Sequence, residues 1–205
     1  MSVRRLLIAT SNRGKLREVK ALLAGNPIEL ASLDDFPGLT EAVEDGATFE
    51  ENAARKALHY HRLTGLTTLA DDSGLEVDAL GGAPGVHSAR FAGLHGGDAA
   101  NNAKLVALLR DVPPAQRTAR FHCTMALAHG GSVVATAHGI VEGVIIDDPV
   151  GDQGFGYDPH FLLPQRGLTK AQLPLEEKNR ISHRGQALRA ILPAIHEHLA
   201  GPRRS

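Results

Sequence analysis

Apolar positions recur along this chain with two periods, and the switches between them lay out its elements. Val3 to Ala9 reads as a buried strand, and Leu16, Val19 and Leu23 then share one face of a helix near Lys15 to Leu23. Residues 28 to 32 read as a second strand. A helix is predicted from Phe49 to Leu63, with Thr48 as its N-cap. A short strand, Leu66 to Ala70, is expected to stop at Asp71-Asp72 and a Ser73-Gly74 turn. Asp98 to Arg110 fits a helix with Leu105, Leu108 and Leu109 facing inward. Phe121, Cys123, Met125 and Leu127 alternate as in a half-buried strand. Val133 to Val144 continues the alternation after a Gly130-Gly131 hairpin turn. Ser182 is expected to cap a last helix with Leu188, Ile191, Leu192, Ile195 and Leu199 on its core face, and Pro193 is expected to kink it. Helices and strands interleave, with one hairpin, so the expected class is α/β with a mixed sheet.

Composition narrows the functional classes. A chain of 205 residues can bury a sizeable core. We expect one two-lobed domain over residues 1–200 and a frayed tail at 201–205. With 22 basic and 23 acidic residues the net charge is −1, which gives no general pull toward nucleic acid or anionic membrane. The single Cys123 excludes an internal disulfide and a multi-cysteine zinc site. No apolar run approaches membrane-spanning length, and the run after Arg4-Arg5 is too short for a secretory leader, so a cytoplasmic location is the expectation.

Candidate chemistry starts at Asp71-Asp72. Two adjacent carboxylates read equally as a solvated turn or as oxygen ligands for a hard cation such as Mg2+. The loop Thr10-Ser11-Asn12-Arg13-Gly14-Lys15 joins a strand to a helix, and a helix N-terminus favours anions. Cations there are misplaced for helix stability, so a bound phosphate would resolve the conflict. It is not a P-loop, since Ala9 and Leu16 stand where that motif needs Gly and a hydroxyl. His183 and Arg184 repeat the anomaly just after Ser182, with Lys178 upstream. Asn52 and Lys56, spaced i, i+4, share a face that suits a phosphate chain or a solvated surface alike. Phe155-Gly156-Tyr157-Asp158 offers rings on which a base can stack and a carboxylate for a hydrogen bond; a small satellite core is the equal alternative. The pairs His59/His61 and His196/His198 do not face each other on helices and read as surface positions.

Together these motifs resemble the inosine triphosphate pyrophosphatase family over nearly the whole chain. The carrying segments are Thr10 to Lys15, Glu44 to Asn52 with Lys56, Ala70 to Gly74, Pro84 to Arg90, Phe155 to Asp158, and Ser182 to Gly185. The resemblance implies an elongated α/β fold with a cleft between two lobes. It implies a homodimer, and Mg2+-dependent cleavage of deaminated purine nucleoside triphosphates (dITP/ITP, XTP) to monophosphate and pyrophosphate. Carried over by motif, Asp72 is the catalytic residue and, with Glu44, a metal ligand. Thr10, Ser11, Asn12, Arg13, Gly14, Lys15 and Lys56 would hold phosphates. Ser73, Phe155, Gly156, Tyr157, Asp158, Lys178, His183 and Arg184 would hold substrate and base. His87, where the family more often has Tyr, and Val43, where Glu is frequent, depart from the pattern. A sister pyrophosphatase for other nucleotides and a catalytically silent nucleotide-binding regulator are the competing readings.

Overall fold

The computed structural model describes residues 5–93 and 97–200. The expected strand residues Val3 and Arg4 and the tail 201–205 lie outside them. Seven strands form one sheet: β1 Arg5–Ile8, β2 Glu29–Ser32, β3 Thr67–Val77, β4 Thr118–His129, β5 Ser132–Ile145, β6 Phe161–Leu163 and β7 Leu168–Thr169. Their order is β2-β1-β3-β4-β5-β6-β7. β1 is parallel to β2 and to β3, whereas β5–β6 and β6–β7 are antiparallel. Gly130 and Gly131, both at positive φ, close the two-residue turn between β4 and β5. The helices are α1 Arg13–Leu23, α2 Phe49–Thr64, α3 Gly97–Leu109, α4 Leu175–Ile181 and α5 His183–Leu199. The mixed α/β sheet is therefore as expected.

The chain divides into two compact units, each discontinuous in sequence. The first comprises Met1–Asp72, Cys123–Gly139 and Arg184–Ser205; the second comprises Ser73–His122 and Ile140–His183. Strand alternation sorts the first unit's side chains. Leu6, Ile8, Leu69, Cys123, Met125 and Leu127 pack with Val19 and Leu23 of α1 and with Leu188, Ile191 and Ile195 of α5. The intervening Leu7, Ala9, Ala70, Ala126 and Ala128 pack with Ala53, Ala57 and Tyr60 of α2. In the second unit Leu75, Val77, Phe121, Phe161 and Leu163 pack with Leu105 and Leu109 of α3. The alternate positions Glu76, Arg120 and Glu142 are joined by an ion-pair network that also takes in Asp78.

Three expectations need correction. Asp71 and Asp72 do not end a strand: β3 continues through Ser73-Gly74 to Val77. Both carboxylates are buried, so the solvated-turn reading fails. Ser182 closes α4, its N–H donating to Lys178 O at 2.8 Å, and with extended backbone it stands immediately before α5, at the position expected of that helix's N-cap. Leu108 is 49% exposed; only Leu105 and Leu109, one turn apart, reach the core.

Candidate active site

The alternation that builds the first core also separates the two aspartates. Asp71, two residues from Leu69, points with Cys123 toward the α1/α5 side. There Arg184 at the start of α5 donates to Asp71 Oδ2 from Nε at 3.3 Å and from Nη2 at 3.2 Å, and its other nitrogen, Nη1, bonds Glu18 of α1. Lys15 Nζ lies 3.1 Å from the same Oδ2. Burial pushes the Asp71 carboxyl up, but Lys15, Arg184 and Lys56 outweigh it and hold the group well below the usual carboxylate range. Both misplaced cations at helix starts thus face a carboxylate of the chain itself. The backbone of α1 is capped separately, by the Asn12 side chain accepting from Lys15 N–H at 3.0 Å.

Asp72 points the other way, toward α2, where Asn52 Nδ2 donates to its Oδ2 at 3.1 Å. Asn52 in turn accepts from the Gly46 N–H at 2.8 Å and so ties the 41–48 loop to the strand. Gly46 has no room for a Cβ, which would meet Asn52 Oδ1 at 2.7 Å. Lys56, one helical turn on, spans Glu44 Oε2 at 2.8 Å and the Asp71 carbonyl oxygen at 3.2 Å. The shared face of Asn52 and Lys56 is buried and joined to Asp72 and Glu44, which removes the solvated-surface alternative. Burial raises the Asp72 carboxyl. Lys15, Lys56 and the Asn52 hydrogen bond oppose that rise, and nearby Glu44 adds to it. Lys15, Lys56 and Glu44 therefore all act on the charge of Asp72.

In the second unit the Phe155–Asp158 loop forms a separate polar cluster. Asp158 is buried and accepts from Lys178 Nζ at 2.6 Å, from the Phe155 N–H at 3.2 Å and from Lys170 Nζ at 3.0 Å. Burial raises its carboxyl, but the two ammonium groups win and the net shift is downward. Lys178 lies 5.0 Å from the Phe155 ring centroid, and His183 stacks on Phe121 at 5.0 Å. Tyr157 is a core residue whose hydroxyl donates to Ser88 O at 2.8 Å. Gly156 is gripped at both polar atoms by α3: its N–H donates to Asp98 at 2.6 Å, and its carbonyl accepts from Asn102 at 3.0 Å. Arg184, expected here, belongs instead to the Asp71–Glu18 group. Ser11, Asn12 and Arg13 are exposed, Thr10, Gly14 and Ser73 half-buried.

The sequence profile of the Ham1 family matches residues 6–194. This chain belongs to the Ham1 family. A dITP/XTP pyrophosphatase of Geobacter sulfurreducens is similar to it, 56% identical over 184 residues that cover 90% of this chain and 92% of that one. Among solved structures, a Ham1 protein from Coxiella burnetii is 41% identical with a TM-score of 0.84, covering 94% of this chain and 98% of its own. A nucleoside-triphosphatase, dITP/XTP pyrophosphatase, from Mycobacterium abscessus is 46% identical with a TM-score of 0.74, covering 92% and 99%.

Within this Ham1 chain the sequence reading missed Glu18, Lys170, Asp98 and Asn102. Glu18, next to the apolar Val19 on α1, is 1% exposed, and its charge gave no sign of that burial. A weak signal existed for Asp98 and Asn102, whose i, i+4 spacing puts them on one face of α3.

Proposed function

We propose that this chain hydrolyses deaminated purine nucleoside triphosphates, dITP or ITP and XTP, to the monophosphate and pyrophosphate, with Mg2+ as cofactor. By doing so it clears such bases from the nucleotide pool. The carrying observation is Asp72, a buried carboxylate with a raised proton affinity, set beside Asn52, Glu44 and two lysines.

Glu44 and Asp72 fit a hard cation. Glu44 raises the cost of charge on Asp72, and a divalent ion removes that cost. Among the described residues no set of three or more His, Cys, Asp or Glu is placed to hold a metal. Two carboxylates, with substrate phosphates and water completing the shell, match the habit of Mg2+. Bound there, the ion would neutralise the triphosphate and stabilise charge developing on phosphorus.

The chain's own groups then divide the work. Ionised Asp72, held by Asn52, orients the attacking water. The bridging P–O bond between the α and β phosphates breaks, and Lys15 and Lys56 stabilise the charge gathering on the pyrophosphate. The exposed Ser11 and Arg13 side chains, beside the start of α1, can meet phosphate oxygens. At the base, the Lys178 ammonium offers donors to a 6-oxo group. Adenine presents an amino group instead and would leave a buried donor unpaired, a cost of about 1–3 kcal/mol.

A panel of dITP, XTP, ATP, dATP and GTP with Mg2+, scored for pyrophosphate against orthophosphate, tests this reading. The expected result is pyrophosphate release, fastest with dITP and XTP and abolished by EDTA. Equal turnover of ATP would refute the specificity, and orthophosphate as first product would refute the bond cleaved. A cytoplasmic homodimer that does not bind nucleic acid completes the proposal. The family resemblance supports the dimer, which light scattering tests, and the near-zero net charge argues against a nucleic-acid partner. No described helix is long and apolar enough to cross a membrane.

A further inference from the structure

Two buried lysines in the second unit are hard to explain as stabilising. Lys170 and Lys178 are each 2% exposed, and Asp158 takes one on each oxygen, Lys170 on Oδ1 and Lys178 on Oδ2. Lysine is almost never fully buried, and a buried ion pair returns little net stability relative to well-packed apolar residues. Lys178 already has a task in the proposed function. Lys170 has none.

Its surroundings are unusually fixed. The Lys170 ammonium sits 3.6 Å from the centroid of the Phe121 ring, which also stacks on His183. Its backbone belongs to a short 3-10 turn, Lys170–Gln172, in which Thr169 and Gln172 cap one another. The preceding loop is tied down on this turn: Gln153 N–H donates to Ala171 O at 2.9 Å, and the Thr169 hydroxyl donates to Val150 O at 2.6 Å. The same loop brings Gly154, at φ +87°, against the ion pair. A Cβ there would collide with the Asp158 carboxylate and come within 2.9 Å of Lys178 Nζ. Backbone therefore presses on the Asp158–Lys178 contact from one direction, while Lys170 holds the second carboxylate oxygen.

We infer that Lys170 is a specificity-determining positioning residue: by holding Oδ1 of Asp158 it locks that carboxylate, and through it the direction of the Lys178 ammonium that reads the base oxygen. This rests on the proposed function. A carboxylate bonded at one oxygen alone can turn about its last torsion, which is broad and soft. Lys178, on a flexible four-carbon stem, would follow it. Lys15, Lys56, Glu44 and Asp72 lie in the other unit and are unaffected by that torsion. The consequence is selective: loss of discrimination between 6-oxo and 6-amino purines, felt in KM, with triphosphate chemistry retained.

The test compares Lys170→Met, Lys170→Gln and Lys170→Arg with the unaltered full chain, using dITP and dATP with Mg2+. For Met and Gln the ratio of kcat/KM for dITP over dATP is expected to fall about tenfold, the equivalent of one aimed hydrogen bond to a charged group. The fall should come from a higher KM for dITP rather than from kcat. Arg keeps the charge and should recover most of the ratio. If Met fails to fold, as judged by circular dichroism, the Gln variant carries the comparison. An undiminished ratio in a folded neutral variant overturns the inference, as does a loss confined to kcat. If the unaltered chain itself does not prefer dITP to dATP, the proposed function falls, and this inference with it.

Discussion

Arg184 offers the most quantitative test of how the first unit is held together. It is 1% exposed and faces two carboxylates, Asp71 through Nε and Nη2 and Glu18 through Nη1. Arg184→Met keeps much of the volume and removes the charge, leaving Asp71 and Glu18 in a buried place without their guanidinium. Removing one partner of a buried ion pair costs about 3–5 kcal/mol, because the remaining charge stays desolvated. At about 2–4 °C per kcal/mol for a chain of this size, the melting temperature should fall by about 6–20 °C. The pH dependence supplies the sharper check. In the native chain the Asp71 carboxyl is held below its unfolded value, so its contribution is present above the unfolded pKa and disappears as pH falls through the lower folded one. In the variant the carboxyl loses one of the neighbours that lower it and lies higher than this, so less stability is lost as pH drops through the carboxylate range. The difference between the two proteins should therefore be full at neutral pH and shrink through the carboxylate range. Urea titrations followed by circular dichroism, from neutral pH down through the carboxylate range to about pH 2, measure it. A difference below about 1 kcal/mol at neutral pH, or one that does not change with pH, would refute the argument that Arg184 works by charge.

Other expectations follow from the same geometry. Asp72→Asn should still bind substrate, measured by calorimetry with Mg2+ and dITP, while turnover falls by at least about 100-fold, as for loss of a group acting on the attacking nucleophile. Asn52→Ala removes the hydrogen bond that lowers the Asp72 carboxyl. Protonation then persists to higher pH, and the acid limb of the kcat/KM profile should move upward; an unmoved or lower limb contradicts the role given to Asn52. Gly143→Ala puts a Cβ 2.5 Å from Phe161 ring atoms and 2.6 Å from Leu162 O, an overpacking expected to cost about 1–3 kcal/mol in a thermal melt.

The long periodic elements were readable in the sequence because one physical cause fixed each of them. α2 is an amphipathic run with a threonine cap, and Thr48 accepts from Glu51 N–H as expected. The β4–β5 hairpin needed only alternation and two glycines. The failures share a different cause, namely that distant residues decided them. Asp71-Asp72-Ser73-Gly74 has the local chemistry of a turn, yet Lys15, Lys56 and Arg184 supply enough positive charge to keep the strand going through it. β6 and β7, three and two residues long, are too short to show a period. α4, Leu175–Ile181, is only seven residues long and shows too little period to be read, and its Lys178 is held by an aspartate from another loop. Lys15 and Lys56 meet at Asp71, whereas Arg184, which the family motif would put at the base beside His183, bonds Asp71 and Glu18 while His183 stacks on Phe121. Two adjacent residues leaving an element on opposite sides carry no signature in composition or spacing.

Asp71 and Asp72 are neighbours on one continuous strand, and their separate duties depend entirely on its pleat. Advance β3 by a single position against β1 and the two exchange sides: the acid that meets the guanidinium would confront Asn52, and the acid proposed to orient the water would be sealed against Cys123. No intermediate setting exists, since pleating allows only odd or even. Deleting or inserting one residue between Thr67 and Asp71 should thus abolish hydrolysis at a stroke, whereas the same edit in the exposed loop near Asp148 leaves that parity untouched.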